Sequence, residues 1–352
     1  MARQLVLRGP RDLGIADSPT RSIGPGDVRL RSVISGISHG TELLLYSGEA
    51  PFGSVAFDIT SRAFAPRSEE ESYYPRALGY EMVSRVTEVG SGVAELKPGD
   101  LVHTGTPHQD EAIIDYADAV ASGYPLVRLP ESDPPERGVF ISLAMVALQA
   151  VHDAALKVGD TVVVSGLGVI GLLTVQLARL NGALSVIAID PVGSRRQLAT
   201  HFGATTVIDP GDEGSLALAV RAANEGRGVD VAIETSGSYE ALHGAISCAH
   251  LGGRVVSVGF YKGGATNLRL GEEWHHNRLT MISSMGLWGC PHRDYPLWDR
   301  RRLLDVVVDL LFTDRLVTEG LISARVPFEK APEVYAGLFA QPDQELKVVF
   351  VY

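Results

Sequence analysis

Gly166-Leu167-Gly168-Val169-Ile170-Gly171 follows the β-branched run Thr161–Ser165 and leads into the apolar helical stretch Leu172–Leu180. A strand, a glycine turn and a helix in that order constrain this chain more than any other feature. The first glycine permits a tight turn, the second lets a backbone approach a pyrophosphate, and the third lets the helix pack closely on the strand. The helix N-terminus then faces the phosphates with its positive dipole end. Asp190 stands nineteen residues beyond Gly171 at the end of the next strand, where an acid accepts hydrogen bonds from ribose hydroxyls. A carboxylate there also repels a 2′-phosphate, which favours NAD over NADP, although Arg195 and Arg196 are near in sequence. If the glycines were turn residues only and Asp190 only a helix cap, this register would go unexplained.

The runs Val162–Ser165, Ser185–Asp190, Thr206–Ile208, Asp230–Glu234 and Gly253–Val258, followed by Met281–Met285, alternate with helical stretches. Several are apolar on consecutive positions, as strands covered on both faces are. They predict an α/β, doubly wound parallel sheet. Before them, an apolar helix is expected over Val139–Leu156.

Residues 1 to 130 read differently. Short β-type runs at Gln4–Leu7, Asp27–Ser35, Met82–Val89, Asp100–His103, Ala112–Ile114 and Pro125–Leu129 are broken by Gly, Pro and Asp, which predicts a mainly antiparallel β lobe. Ala50 to Tyr74 lacks periodicity and reads as a loop or lid. Near the C-terminus, Arg301–Thr313 is amphipathic, with Leu303, Leu304, Val307, Leu310 and Leu311 at helical spacing. The strand Leu346–Val351 must pair with something, and pairing with the β lobe makes that lobe discontinuous. Two domains also suit 352 residues, since single cores stop growing beyond roughly 250 to 300.

Acidic and basic residues are interspersed, with a net charge of −11 and no basic tract, which disfavours a nucleic-acid partner. No 18-residue apolar run and no signal-like leader occur, so a cytoplasmic protein without a membrane span is expected. Cys248 and Cys290 are too few for a disulfide framework or a four-cysteine zinc site.

Lys157-Val158-Gly159-Asp160-Thr161 precedes the glycine turn. Gly36-Ile37-Ser38-His39-Gly40-Thr41-Glu42, Gly79-Tyr80-Glu81 with Val89-Gly90, and Lys97-Pro98-Gly99-Asp100-Leu101-Val102 lie upstream. With these segments the chain resembles, over essentially its whole length, the medium-chain dehydrogenase/reductase superfamily. The resemblance implies a GroES-like catalytic domain over 1–145 and 288–352, a Rossmann domain over 146–287, and a homodimer joined through the last Rossmann strand. Zinc-dependent members carry a Gly-Ile-Cys-Gly-Thr-Asp-like segment and a Gly-His-Glu segment. At the positions of their ligands this chain has Ser38 or His39, Tyr80 and Ser142, and Tyr and Ser are poor zinc ligands. No cysteines stand in Thr104–Asp115, where a structural zinc lobe would lie. A residual site would need a third residue beside His39 and Glu81. The Ser-Gly-Ile-Ser-x-Gly-Thr-Glu form and the Glu273–Thr280 segment resemble a zinc-less, bacteriochlorophyllide dehydrogenase-like branch.

Alcohol oxidation without zinc needs another proton acceptor. His39 is the first candidate, because an imidazole pKa near 6.5 suits proton transfer. Thr41 matches the family's hydroxyl relay and also reads as the cap of a helix from Glu42. Tyr80 projects where a ligand His would stand and is a donor to a carbonyl oxygen. Glu81 reads as scaffolding or as a carboxylate orienting His39, and His108 as a solvated loop residue. At most one of His275 and His276 is expected to face substrate, and Ser284 and Met285 to meet the carboxamide by analogy. The expected function is a zinc-independent, NAD-preferring oxidoreductase for a polar secondary alcohol or ketone of sugar, cyclitol or ring type. A quinone or enoyl reductase and a non-catalytic nicotinamide-binding protein are the alternatives.

Overall fold

The computed structural model describes residues 2–50, 53–68, 72–121, 126–131, 135–212, 214–285 and 297–352. Cys290 and part of the Ala50–Tyr74 stretch lie outside them. The chain divides into two compact units, Met1–Phe140 with Ile322–Tyr352, and Ile141–Leu321.

The first unit opens with β1 (Ala2–Gly9) and β2 (Asp12–Ser18), an antiparallel pair. Then come β3 (Asp27–Gly36), α1 (His39–Ser47), β4 (Val55–Asp58), β5 (Ala63–Pro66), β6 (Arg76–Ala77) and β7 (Met82–Val89). After these follow β8 (Leu101–Thr104), β9 (Glu111–Asp115), α2 (Tyr116–Ala121) and β10 (Val127–Arg128). The expected featureless lid is instead in part a hairpin: β4 and β5 pair antiparallel, with Phe57 opposite Phe64. An aromatic pair across a short hairpin stabilises it without the long alternation that sequence reading looks for.

The second unit starts with α3 (Ile141–Asp153), later than the Val139 expected, because Pro135–Phe140 forms a tighter 3₁₀ turn. Beyond α3, Ala155 adopts the left-handed φ of 50°, which no helix of L-residues continues through. The unit continues with β11 (Thr161–Ser165), α4 (Val169–Leu180), β12 (Ser185–Ile189), α5 (Gly193–His201), β13 (Thr206–Ile208) and α6 (Leu216–Ala223). It is completed by β14 (Val229–Glu234), α7 (Tyr239–Cys248), β15 (Ala249–Ser257), α8 (Glu273–His276), β16 (Thr280–Ser283) and α9 (Arg300–Phe312). Its six parallel strands run in the order β13-β12-β11-β14-β15-β16, the doubly wound arrangement. Val162, Val163 and Val164 are inaccessible to solvent, which explains a strand that is apolar on every position. The sequence reading places the segment of α9 with the β lobe; instead α9 packs on α3.

The chain then returns to the first unit through β17 (Ala324–Pro327), α10 (Ala331–Ala340) and β18 (Val348–Val351). The unit's main sheet runs β10-β8-β7-β3-β18-β17, with β9 also on β3. The C-terminal strand therefore finds its partner in β3, with Val349 opposite Gly36. One core joins Leu5 and Leu7 of β1, Leu44 and Leu45 of α1, and Phe328, Tyr335 and Phe350. Each such side chain stabilises the unit by about 1.5–3 kcal/mol, so residues from both ends of the chain hold it together. Among the described residues no helix is long and apolar enough to cross a membrane.

Candidate active site

The glycine turn bridges β11 and α4. Gly166 has a φ of +86°, and a Cβ there would stand 2.8 Å from the Ser236 backbone nitrogen. At Gly171 a Cβ would stand 1.9 Å from the Gly166 carbonyl oxygen, so only glycine lets α4 pack this closely. At Gly168, which precedes α4 with no side-chain cap, a Cβ would meet nothing within 4 Å. An open face there, flanked by closed ones, fits a dinucleotide backbone approach. Leu167 and Val169 are buried beneath the turn, and Ile170 is half-buried in the first turn of α4.

Asp190 is buried just beyond β12, where Oδ2 accepts from the Leu167 N–H at 2.7 Å and Oδ1 from the Val192 N–H at 2.8 Å. It thus clamps the glycine turn rather than capping a helix, and the carboxylate keeps lone pairs for ribose hydroxyls. Arg196 donates to the Asp190 carbonyl oxygen and pairs with Asp209 at 2.7 Å. Arg195 is half-buried in the first turn of α5.

In the first unit the helix predicted from Glu42 begins at His39, with Ser38 at its N-cap. The difference lies in Glu42, whose Oε1 accepts from the Ser38 N–H at 2.8 Å and closes the first turn from within. Thr41 is therefore inside that turn and is not the cap. The Tyr80 hydroxyl donates to Ser38 Oγ at 2.5 Å, and Thr41 makes a second side-chain hydrogen bond to Tyr80. Burial, reinforced by the Glu81 carboxyl, raises the Tyr80 pKa, so the phenol stays protonated and acts as a donor. His39 is half-buried at the first position of α1.

Glu81 is fully buried. Its Oε2 receives the Lys347 ammonium, which also donates to the Ile37 carbonyl oxygen at 2.9 Å. Its Oε1 is buried without a hydrogen-bond partner, and burial pushes its carboxyl up to about 7 against the pull of Lys347. Sequence reading missed Lys347; the one signal was a lysine among the apolar residues of the last strand.

His108 is fully buried, contrary to the expected solvated loop. Its backbone bonds Leu5 and Leu78, which draws the ring inward. Nε2 faces Glu42 Oε2 at 3.1 Å, Nδ1 faces Ser35 Oγ at 2.7 Å, and Tyr335 donates to the same Glu42 oxygen at 2.5 Å. Burial alone would raise the Glu42 carboxyl, yet His108 and the surrounding donors lower it. This network braces α1 from beneath. In the second unit His275 and His276 are exposed on α8, with His276 Nδ1 at 3.1 Å from the Glu272 carbonyl oxygen. Ser284, just past β16, is buried with Oγ lacking a hydrogen-bond partner, and Met285 is half exposed.

Ser38 and Tyr80 offer neutral hydroxyls already bonded to each other, whereas zinc takes thiolate, imidazole or carboxylate. Among the described residues no group of three or more His, Cys, Asp or Glu is arranged to hold a metal.

A family model described as zinc-binding dehydrogenase matches residues 169–299. The chain is 32% identical to a D-guloside 3-dehydrogenase of Shigella flexneri over 98% of this chain and 99% of that one. It is 29% identical to (R,R)-butanediol dehydrogenase of Bacillus subtilis over 72% and 76%. The crystal structure of 2R,3R-butanediol dehydrogenase from Bacillus subtilis shares the fold, with a TM-score of 0.80 at 23% identity and all of both chains covered. The chain belongs to the zinc-binding dehydrogenase family of the medium-chain dehydrogenase/reductase superfamily and is an oxidoreductase of that type.

Proposed function

We propose that this chain is a zinc-independent, NAD-preferring dehydrogenase that interconverts a secondary alcohol and its ketone on a sugar-, polyol- or ring-type substrate. The observation that carries this reading is the Tyr80–Ser38 hydroxyl pair, joined by Thr41, at the positions the resemblance assigns to metal ligands. The similarity to a D-guloside 3-dehydrogenase over nearly the whole chain supports a glycoside or related polyol as substrate class.

Gly166, Leu167, Gly168, Val169, Ile170 and Gly171 would hold the pyrophosphate and Asp190 the ribose, with Arg195 beside it. A buried carboxylate at Asp190 disfavours a 2′-phosphate. When bound, the nicotinamide supplies hydride exchange. With substrate bound, Tyr80 turns its one phenol proton from Ser38 Oγ to the substrate oxygen and delivers it as a ketone is reduced. Ser38 and Thr41 orient that phenol. His39 exchanges the proton with solvent at neutral pH. Among the described residues the edge strand β16 has a partner on one side only, and a second copy of the chain pairing along it would complete a homodimer.

The test is NAD⁺- and NADP⁺-dependent oxidation of a panel of glycosides and polyols, set beside reduction of ketones, quinones and enones, with zinc measured on the purified protein. Turnover of a glycoside or polyol with NAD⁺, undiminished by a chelator, is expected. Tyr80→Phe should lower it by about 10²-fold or more. Stoichiometric zinc whose removal abolishes turnover, or activity confined to enones and quinones, would overturn the proposal.

A further inference from the structure

Glu234 is the last residue of β14 and is fully buried. β14 neighbours β11, and strand order reverses between them, so its C-terminal end lies at the switch point where such sheets bind ligands. The carboxylate collects four donors: the Ser236 N–H at 2.6 Å, the Gly237 N–H at 3.2 Å, the Ser236 hydroxyl and the Tyr261 hydroxyl. The first three curl residues 235–237 back onto the strand end. The fourth arrives from the loop after β15, and a Cβ on Gly259 of that loop would stand 2.2 Å from the Gly237 nitrogen. The two loops are thus in backbone contact and tied by one buried carboxylate.

This tied pair of loops supports the glycine turn. The Thr235 hydroxyl donates to the Gly166 carbonyl oxygen at 2.7 Å and lies 2.9 Å from where a Cβ on Gly171 would stand. The Ser236 nitrogen bears in the same way on Gly166. Residues 235–237 and Gly166 share a hydrogen bond and pack with no room for a side chain between them, so a shift of one is passed to the other.

We infer that Glu234 and Tyr261 are positioning residues for the dinucleotide, a carboxylate–phenol clamp that sets the glycine turn through Thr235 and Ser236. The inference rests on the reading of that turn as the dinucleotide site. A clamp of this kind pre-organises the turn, so its loss appears in cofactor affinity and not in the chemical step.

The experiment is a fluorescence titration of the full chain with NADH, paired with steady-state kinetics and thermal melting, for wild type, Tyr261→Phe and Glu234→Gln. Tyr261→Phe removes one hydroxyl and leaves the three donors of the Ser236–Gly237 turn in place, so it should fold. It is expected to raise the NADH Kd and the KM for NAD⁺ about ten-fold, with kcat within about two-fold and melting of the free protein little changed. Glu234→Gln, which turns an amide toward several donors, should raise both constants further. Wild-type Kd in Tyr261→Phe, or a fall in kcat or melting temperature without a change in Kd, overturns the clamp. Failure of the wild type to bind NADH or NADPH overturns the cofactor reading itself.

Discussion

Gly168 and Gly171 belong to one turn yet meet opposite surroundings, and that difference separates binding from stability. A methyl group at Gly168 enters open space, whereas one at Gly171 collides with the Gly166 carbonyl oxygen at 1.9 Å. Gly168→Ala should therefore melt within a few degrees of wild type and lose NADH affinity by ten-fold or more, about 1.4 kcal/mol. Gly171→Ala should be destabilised by about 1–3 kcal/mol or more before any cofactor is added. Calorimetry beside NADH titration separates the two. Asp27 offers a test in pH. The Arg21 guanidinium first, then the Gly24 N–H, hold its carboxyl at about 2, below the ordinary 3.8. A lowered folded-state pKa means that the charged form contributes stability above pH 3.8 and loses it as pH falls through about 2. Asp27→Asn should melt below wild type at pH 7, and the gap should close between pH 4 and 2 in an acid melting series.

At the scale of elements, the last strand matters for more than its apolar side chains. Lys347 ties the turn before α1 to the segment carrying Tyr80, through the Ile37 carbonyl oxygen and Glu81. Removing one partner of a buried pair leaves the other charge without compensation, a loss of about 3–5 kcal/mol, and because the Glu81 carboxyl is already pushed up to about 7 beside Lys347, that loss is expected above neutral pH, where Glu81 is charged. Lys347→Met should show that loss in urea unfolding, and Lys347→Met with Glu81→Gln should recover much of it. If the double variant were as unstable as the single one, the pair would not be the source. Elements with strong periodicity or punctuation were legible: β7 and β13 have the predicted limits, β11 starts one residue before the predicted Val162, and the glycine turn stands between strand and helix as expected. The hairpin β4–β5 was not, because four-residue strands carry too little alternation to register. Nor was the start of α1, where the closing group, Glu42, lies inside the helix instead of before it.

Across the whole molecule, the β lobe is sewn from both ends of the chain. β18 covers the edge of β3 and buries Val348, Val349 and Phe350. At about 1.5–3 kcal/mol for each apolar side chain, with the Lys347 pair lost as well, deleting residues 346–352 removes a free energy comparable with a typical domain's 5–15 kcal/mol. The truncated chain should lose its cooperative melting transition or its solubility, read by calorimetry and soluble yield. The sequence by itself determined the parallel α/β half, the glycine turn with its acid and the need of the last strand for a partner. All three follow from local periodicity and fixed spacing. Only the tertiary structure decided which polar groups meet: Tyr80 with Ser38, His108 with Glu42 and Tyr335, Lys347 with Glu81, and Glu234 with Tyr261. Periodicity reports whether a side chain is buried, but partners 266 residues apart, as Lys347 and Glu81 are, depend on the path of the chain between them.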